Sequence, residues 1–313
     1  MKKTIYFTLL VFLMMAILPA QQTLKVERIE ALTQKEQGEF SFPKLTPDGS
    51  KVIFSGPKFT GLFMFDLEKR TIETLNNEVG AGYEFQISDD GQFVVYRSFT
   101  FKKGRKFYSL KKQNLLDRSV SVLEKESREL SPPRLVNGKI IYLRNNTPLK
   151  IDISSSPQLQ KTTTSFSRSV FVRKRTIVLV EGDRQRELKP LGEGIYLWPR
   201  LSPDGSKLLF TFAGDGTYIS DLEGNILTRI GYANAPVWSP DGQWIAYMVD
   251  HDDGHIYTDS EIFISSVDGK QKIQLTNTKD IIEMYPNWGS KELTKLVFSS
   301  LNGQIFLATL KTE

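Results

Sequence analysis

The sequence contains no cysteine and only two histidines among its 313 residues. Without cysteine, the chain forms no disulfide, uses no thiol nucleophile and has no lipid-modified N-terminal cysteine. It also lacks the Gly-x-Ser-x-Gly elbow of serine hydrolases, the His-Glu-x-x-His zinc motif and a glycine-rich phosphate-binding loop. These absences favour a protein with no catalytic residues and no cofactor. A chain of this length buries a large apolar core without disulfides.

Neither sign of charge dominates the sequence. There are 41 basic and 36 acidic residues, and Lys2 and Lys3 lie in a segment that we expect to be removed. A balance this even does not indicate a nucleic-acid-binding protein.

One apolar run stands out, from Ile5 to Leu18, after Lys2 and Lys3 and before Ala20. A basic start, a short apolar stretch and a small exit residue are typical of a secretory signal peptide. We expect residues 1–20 to be that peptide and 21–313 to form one domain, periplasmic or secreted, with no integral membrane segment after cleavage. Because Leu18 is not a small residue, an uncleaved anchor is the alternative.

A four-residue motif, Ser/Thr-Pro-Asp-Gly, recurs along the chain at 46–49, 202–205 and 239–242, with a degenerate copy at 88–91. Each copy precedes a short apolar run such as 52–54. Proline and aspartate favour the central positions of a tight turn, and glycine accepts the positive φ at its exit. Repetition of such a unit every few tens of residues predicts a repeat architecture, and we interpret the motif aspartates as turn formers.

Residues 236–276 contain four short strands joined by hairpin turns, which is typical of one propeller blade. The whole chain is thus predicted to be all-β, a single β-propeller of four-stranded antiparallel blades. The anchors of seven units favour seven blades, although six remain possible if the irregular stretch 165–195, which predicts only three strands, belongs to an overgrown blade. The last unit lacks a fourth strand, and the alternating segment 24–33 is expected to supply it and close the ring. The anchors are Pro43, Phe85, Pro133, Ser169, Pro199, Pro236 and Pro286.

This repeat resembles that of the propeller domain of TolB and its relatives. The matching segments are 43–54 with Phe65-Asp66-Leu67, 199–210 with Ser220-Asp221-Leu222, and 236–247. The resemblance covers the propeller domain only and implies the fold, not the function. It also implies six blades, as TolB-type propellers usually have, against the seven counted from the anchors.

Two segments between the second and third strands of their blades are candidate sites, because loops on a rigid scaffold often bind partners. The first, 97–106, combines five basic residues with two phenylalanines. It suggests a docking surface for an acidic partner, a polysaccharide or a membrane surface. The alternative is a solvated basic hairpin whose two phenylalanines point back into the blade. The candidate partner-binding residues are Arg97, Phe99, Phe101, Lys102, Lys103, Arg105 and Lys106.

The second segment, 250–261, contains both histidines and several carboxylates. Such oxygens bind calcium, but Gly254 occupies a position where a calcium loop needs a ligand. We therefore expect a solvated polar turn and no metal. The weak metal-ligand candidates are Asp250, His251, Asp252, Asp253 and His255.

Taken together, these features favour an exported, non-enzymatic binding or scaffold propeller of the cell envelope that recognises a protein or peptide partner. The alternative is a propeller-type lyase or hydrolase acting on a polysaccharide or peptide, whose site would gather ligands from several blades near the axis.

Overall fold

A computed structural model describes residues 24–153, 168–289 and 293–312, and in these ranges 26 strands form seven antiparallel sheets. Each sheet contacts the next one along the chain, and the last sheet contacts the first, so the seven sheets form a closed ring. The protein is therefore a seven-bladed β-propeller, as the anchor count predicts, rather than a six-bladed one. No helix in the described ranges is long and apolar enough to cross a membrane.

The strands are numbered in chain order. The N-terminal strand is β1 (Leu24–Ala31). Blade 1 contains β2 (Ser41–Leu45), β3 (Lys51–Ser55), β4 (Thr60–Asp66) and β5 (Thr71–Val79), and blade 2 contains β6 (Gln86–Ile87), β7 (Phe93–Lys102), β8 (Arg105–Asn114) and β9 (Val120–Ser127). Blade 3 contains β10 (Arg134–Val136), β11 (Lys139–Arg144) and β12 (Thr147–Asp152), and blade 4 contains β13 (Arg168–Arg173), β14 (Thr176–Glu181) and β15 (Arg184–Leu188).

Blade 5 contains β16 (Tyr196–Leu201), β17 (Lys207–Phe212), β18 (Gly216–Asp221) and β19 (Ile226–Gly231). Blade 6 contains β20 (Asn234–Trp238), β21 (Trp244–Asp252), β22 (Tyr257–Ser266) and β23 (Lys272–Gln274), and blade 7 contains β24 (Glu283–Trp288), β25 (Lys295–Ser300) and β26 (Ile305–Thr312) together with β1. In the part of the chain that the structure describes, two short 3₁₀ helices span Lys35–Gln37 and Pro57–Phe59.

The apolar run after each turn motif is a strand buried on both faces. In β3, Val52 and Phe54 pack toward blade 7, whereas Ile53 packs toward blade 2, and none of the three is exposed. Successive side chains of a strand point to opposite faces, and each face packs against a neighbouring blade. Both faces of the strand therefore need apolar residues. This explains why these strands are continuously apolar rather than alternating.

The N-terminal strand closes the ring, as predicted. β1 pairs antiparallel with β26, from Leu24 opposite Thr312 to Ala31 opposite Phe306. Beyond the strand, the backbone N–H of Leu32 donates to the Ile305 carbonyl at 2.7 Å, and the Thr33 hydroxyl accepts from the Ile305 N–H at 2.9 Å. The last blade thereby gains its outer strand from the start of the described chain.

The ring has two faces, which we define by their connections. The turn face bears the Ser/Thr-Pro-Asp-Gly turns and the turns between third and fourth strands. The two kinds of turn are hydrogen-bonded to each other, for example in blade 1, where the Leu67 N–H donates to the Ser50 carbonyl at 3.0 Å. The hairpin face bears the hairpins between second and third strands and the links between blades, joined for example by Gly80 N–H to Phe59 O at 3.0 Å.

Each signature turn is fixed by its own side chains. Ser239 donates to Asp241 Oδ1 at 2.5 Å, and its hydroxyl accepts from the Trp244 N–H at 2.9 Å. In blade 5, hydrogen bonds from the hydroxyls of Ser202 and Ser206 lower the pKa of Asp204 to about 2. These aspartates act as turn formers.

The described part of blade 4 has the three strands expected for 165–195, and β13 runs away from the turn face, as the second strands of the other blades do. β13 begins at the turn face, where Arg168 Nη1 donates to Gly205 O at 3.3 Å. It ends at the hairpin face, where Arg175 O accepts from the Tyr196 N–H at 3.0 Å. In the blades with a signature turn, the innermost strand runs toward the turn face. Residues 154–167, between β12 and β13, lie outside the described part of the chain.

Candidate functional site

The 97–106 segment forms the end of a long hairpin rather than a loop. β7 and β8 have ten residues each, against five in β3, and they are joined by the two-residue turn Lys103-Gly104 with positive φ at both positions. Such a turn suits the twist of a hairpin. The extra strand length carries the basic residues outward on the hairpin face.

The basic residues of this hairpin differ in their surroundings. Lys102 forms an exposed ion pair with Glu126 at 2.6 Å, and Lys106 Nζ lies 3.6 Å from the centre of the Phe99 ring. Lys103 and Arg105 are exposed and form no ion pair with any described residue. These last two side chains are the charges that a partner would meet first.

Arg97 packs at the base of the hairpin. Its guanidinium donates to the Leu130 carbonyl and lies 4.3 Å from the Tyr108 ring centre and 5.6 Å from that of Tyr83. Burial lowers its pKa. Arg97 therefore joins blade 2 to the start of blade 3 from a partly buried position.

A continuous row of aromatic rings crosses the hairpin face from blade 7 to blade 2, and we call it the aromatic row. Neighbouring ring centres lie 4.1 to 5.9 Å apart, except where the Arg97 guanidinium lies between Tyr83 and Tyr108. The row ends at Phe101, which is 68% exposed. In order, its members are Tyr285, Phe42, Phe59, Tyr83, Tyr108, Phe99 and Phe101.

Strained backbone directs part of this row. Phe42, Trp198 and Tyr285 each precede the anchoring proline of their blade and have φ values of 55°, 49° and 55°. At each of these places the register of the innermost strand shifts as in a β-bulge. A bulge re-aims a side chain, and positive φ in a large residue is costly, so such strain often marks a ligand site. Phe42 and Trp198 line the axial cavity.

The axial cavity has a volume of about 760 Å³ and is lined by residues of all seven blades. Four charged side chains stand close together on its wall, and we call them the axial cluster: Lys44, Glu84, Arg134 and Arg200. Three of them are basic and one is acidic.

The electrostatics of the axial cluster follow from burial and from the excess of cations. Burial, together with the charge of Arg200, lowers the pKa of Lys44 to about 7. Burial alone would raise the pKa of Glu84, but Arg134, Arg200 and Lys44 lower it below its usual value. Glu84 is thus a carboxylate, paired with Arg134 at 3.1 Å.

The acidic hairpin of blade 6 uses its carboxylates locally. Asp250 is buried and accepts a hydrogen bond from Asn234 Nδ2 at 2.8 Å, while Asp252 accepts from the Gly254 N–H and Asp253 from the His255 N–H. His251 Nδ1 lies 3.6 Å from Asp259 Oδ2. Among the residues that the structure describes, no group of three or more histidines and carboxylates is placed to share a metal ion.

None of the site residues predicted from the sequence belongs to the axial cluster, although the sequence contains a signal for it. The residue directly after the anchoring proline is basic in three units, as Lys44, Arg134 and Arg200. Because the anchors mark equivalent positions of the innermost strand, residues one step beyond them converge on the axis.

Comparisons with known proteins agree on the fold. No protein-family model matches the chain, and a search of curated proteins finds no match. Among solved structures, TolB from Acinetobacter baumannii is 18% identical with a TM-score of 0.52, over 81% of this chain and 58% of TolB. The chain thus spans less than two thirds of the length of TolB.

Two other solved structures match over almost their full length. A manganese-bound oligogalacturonate lyase is 14% identical with a TM-score of 0.54, over 93% of this chain and 96% of the lyase. The β-propeller domain of Cps50 (Swd1) from Myceliophteria thermophila is 10% identical with a TM-score of 0.56, over 92% of this chain and 99% of that domain. The resemblance to the TolB propeller therefore holds for the fold, which these proteins share.

Proposed function

We propose that this protein is an exported, non-enzymatic binding propeller that recognises an acidic protein or peptide of the cell envelope through its hairpin face. The aromatic row, ending in the exposed Phe101 beside Lys103 and Arg105, is the observation that supports the proposal. Aromatic and arginine side chains are enriched in protein interfaces, where a few of them contribute most of the binding energy.

The two components of this surface have different roles. The basic tip speeds encounter with an acidic partner, and salt weakens this effect. The aromatic row supplies apolar area on a rigid ring, so little conformational entropy is lost on binding. Phe101→Ala is expected to weaken binding by roughly 30-fold, because burying ~100 Å² of apolar surface contributes about 2 kcal/mol.

The proposal is tested by capture from an envelope extract at low and moderate salt, with bound proteins identified by mass spectrometry. Lys103→Glu/Arg105→Glu should lose an acidic protein that the wild-type chain retains. The control Lys69→Glu/Lys270→Glu makes the same charge change on the turn face, where both lysines are exposed, and should retain it. Equal capture by both folded variants would contradict the proposal.

The second candidate function is a polysaccharide lyase or hydrolase, favoured by the similarity to the oligogalacturonate lyase over 93% of this chain. Incubation of the purified protein with oligogalacturonate, with and without added manganese, separates the two functions. Accumulation of unsaturated sugar ends would support the lyase. Absence of any cleavage under both conditions would leave the binding propeller as the better account.

A further inference from the structure

The axial cluster contains more positive charge than its own residues neutralise. Arg134 pairs with Glu84 at 3.1 Å and donates from Nε to the Val170 carbonyl at 3.2 Å. Lys44 Nζ donates to the Phe85 carbonyl and lies 4.8 Å from the Phe85 ring centre. Arg200 forms no ion pair within the described residues. Within the axial cluster, one carboxylate therefore faces two arginines and Lys44, so positive charge is in excess among these four side chains.

Unpartnered donors line the same cavity. The buried Arg200 Nε, Ser169 Oγ and Trp288 Nε1 have no hydrogen-bond partner within the described residues. Ser169 is 3% exposed and Trp288 is 5% exposed. All three groups can donate, and leaving buried donors unpaired is costly. A ligand rich in acceptor oxygens would satisfy these donors.

We propose that the axial cavity binds a small dianionic ligand bearing carboxylate or phosphate oxygens, with Arg200 as its principal contact and Lys44 and Arg134 beside it. The planar guanidinium of arginine matches the two oxygens of a carboxylate or phosphate. The cavity volume of about 760 Å³ lies within the range of small-molecule sites. This site is separate from the basic hairpin tip and does not depend on the proposed protein partner.

The pH dependence of binding follows from Lys44. The groups that act on it are Glu84, Arg134 and Arg200, and Asp89 lines the same cavity. A bound dianion favours the charged lysine and raises its pKa from about 7. Binding of succinate, whose two carboxylates stay ionised around neutral pH, should therefore be tighter below about pH 7 and weaker above it, where the free protein holds Lys44 neutral.

The test is calorimetric titration of the full mature chain with succinate and, separately, with inorganic phosphate. Arg200→Gln should weaken binding about tenfold or more, because it removes a charged hydrogen-bond donor. Glu84→Gln should tighten binding, because it removes the carboxylate of the axial cluster, which opposes the charge of the ligand. Lys103→Glu/Arg105→Glu, on the hairpin tip, should bind the anion as the wild type does. Binding of only one probe identifies the oxygen chemistry that the site accepts.

Opposite effects of Arg200→Gln and Glu84→Gln would support the site. No binding of either probe to the wild-type chain, or equal affinity in all variants, would overturn it. If Arg200→Gln fails to fold, two other measurements decide in its place. These are the affinity of Glu84→Gln and the affinity of the wild type for succinate below and above about pH 7. A wild-type affinity for succinate that does not change with pH, together with an unchanged affinity in Glu84→Gln, would again reject the proposal.

Discussion

Shortening Leu32 to alanine is expected to weaken the closure of the ring. Leu32 follows β1 and is 4% exposed, packed among apolar residues of blades 1 and 7 that include Phe40 and Ile305. Its backbone N–H also donates to the Ile305 carbonyl. The side chain therefore stands at the contact between the start and the end of the described chain.

The expected loss is set by burial. Replacing a fully buried leucine by alanine costs about 2–5 kcal/mol, through lost transfer energy and the cavity left behind. At roughly 2 °C per kcal/mol for a large domain, this lowers the melting temperature by about 4–10 °C. Ile29→Ala provides a control in β1, because Ile29 is 37% exposed and its truncation should cost about 0.5 kcal/mol.

Thermal unfolding of both variants, followed by circular dichroism, measures this difference. An additional readout is aggregation on incubation, because an opened ring exposes the unpaired edge of β26. The reasoning would be refuted if Leu32→Ala melted within a degree or so of Ile29→Ala, since closure would then contribute little to stability.

Three further predictions concern the turns, the buried acid and the blade 6 hairpin. Ser239→Ala should lower the free energy of unfolding, measured by urea titration, by about 1–3 kcal/mol, because it leaves the buried Trp244 N–H unpaired. The control Ser206→Ala, which removes an exposed hydroxyl, should lower it much less. Glu283 is 1% exposed, and burial raises its pKa from 4.5 to about 7, so the folded state favours its protonated form. The free energy of unfolding of the wild type should fall as the pH rises from about 4.5 through 7, and Glu283→Gln should not show this part of the loss. Parallel curves of unfolding free energy against pH for the two proteins would contradict the raised pKa of Glu283. Adding chelator should leave the melting temperature unchanged, and a drop that Asp252→Ala/Asp253→Ala abolishes would instead show a bound metal ion in this hairpin.

The ring and its closure are predictable from the sequence because both depend on local patterns. The motif at 239–242 combines three residues that each favour the same turn, and the strand after it must be apolar on both faces. The alternation of β1 and the missing strand of the last unit indicate the pairing of β1 with β26. Local preference and global fold agree at these places.

The hairpin of blade 2 is only partly predictable. Composition suggests a loop at 97–106 because charged residues dominate it, yet the strands continue to Lys102 and resume at Arg105. Exposed strand ends tolerate any polar side chain, so composition does not fix where pairing stops. The turn Lys103-Gly104 is the informative signal, since glycine supplies the positive φ that such a turn needs.

The axial cluster and the aromatic row depend on contacts between residues far apart in sequence. Arg134 meets Glu84 fifty residues away, and Phe42 meets Tyr285 across the closure of the ring. The bulges before Pro43 and Pro286 also interrupt the alternation of side chains along the strand, so the face of each side chain cannot be assigned from the sequence pattern. The type of residue is visible in the sequence, but its orientation is not.

Photo-crosslinking from position 101 tests most directly whether the hairpin face binds a partner. A photoreactive phenylalanine analogue replaces Phe101 in cells that express the full chain, and a second variant places it at Leu227, which is 52% exposed on the outer strand of blade 5. The proposed function predicts one discrete adduct with an acidic envelope protein from position 101, lost in the Lys103→Glu/Arg105→Glu background, and no such adduct from position 227. Absence of an adduct at 101, or the same adduct from both positions, would contradict it.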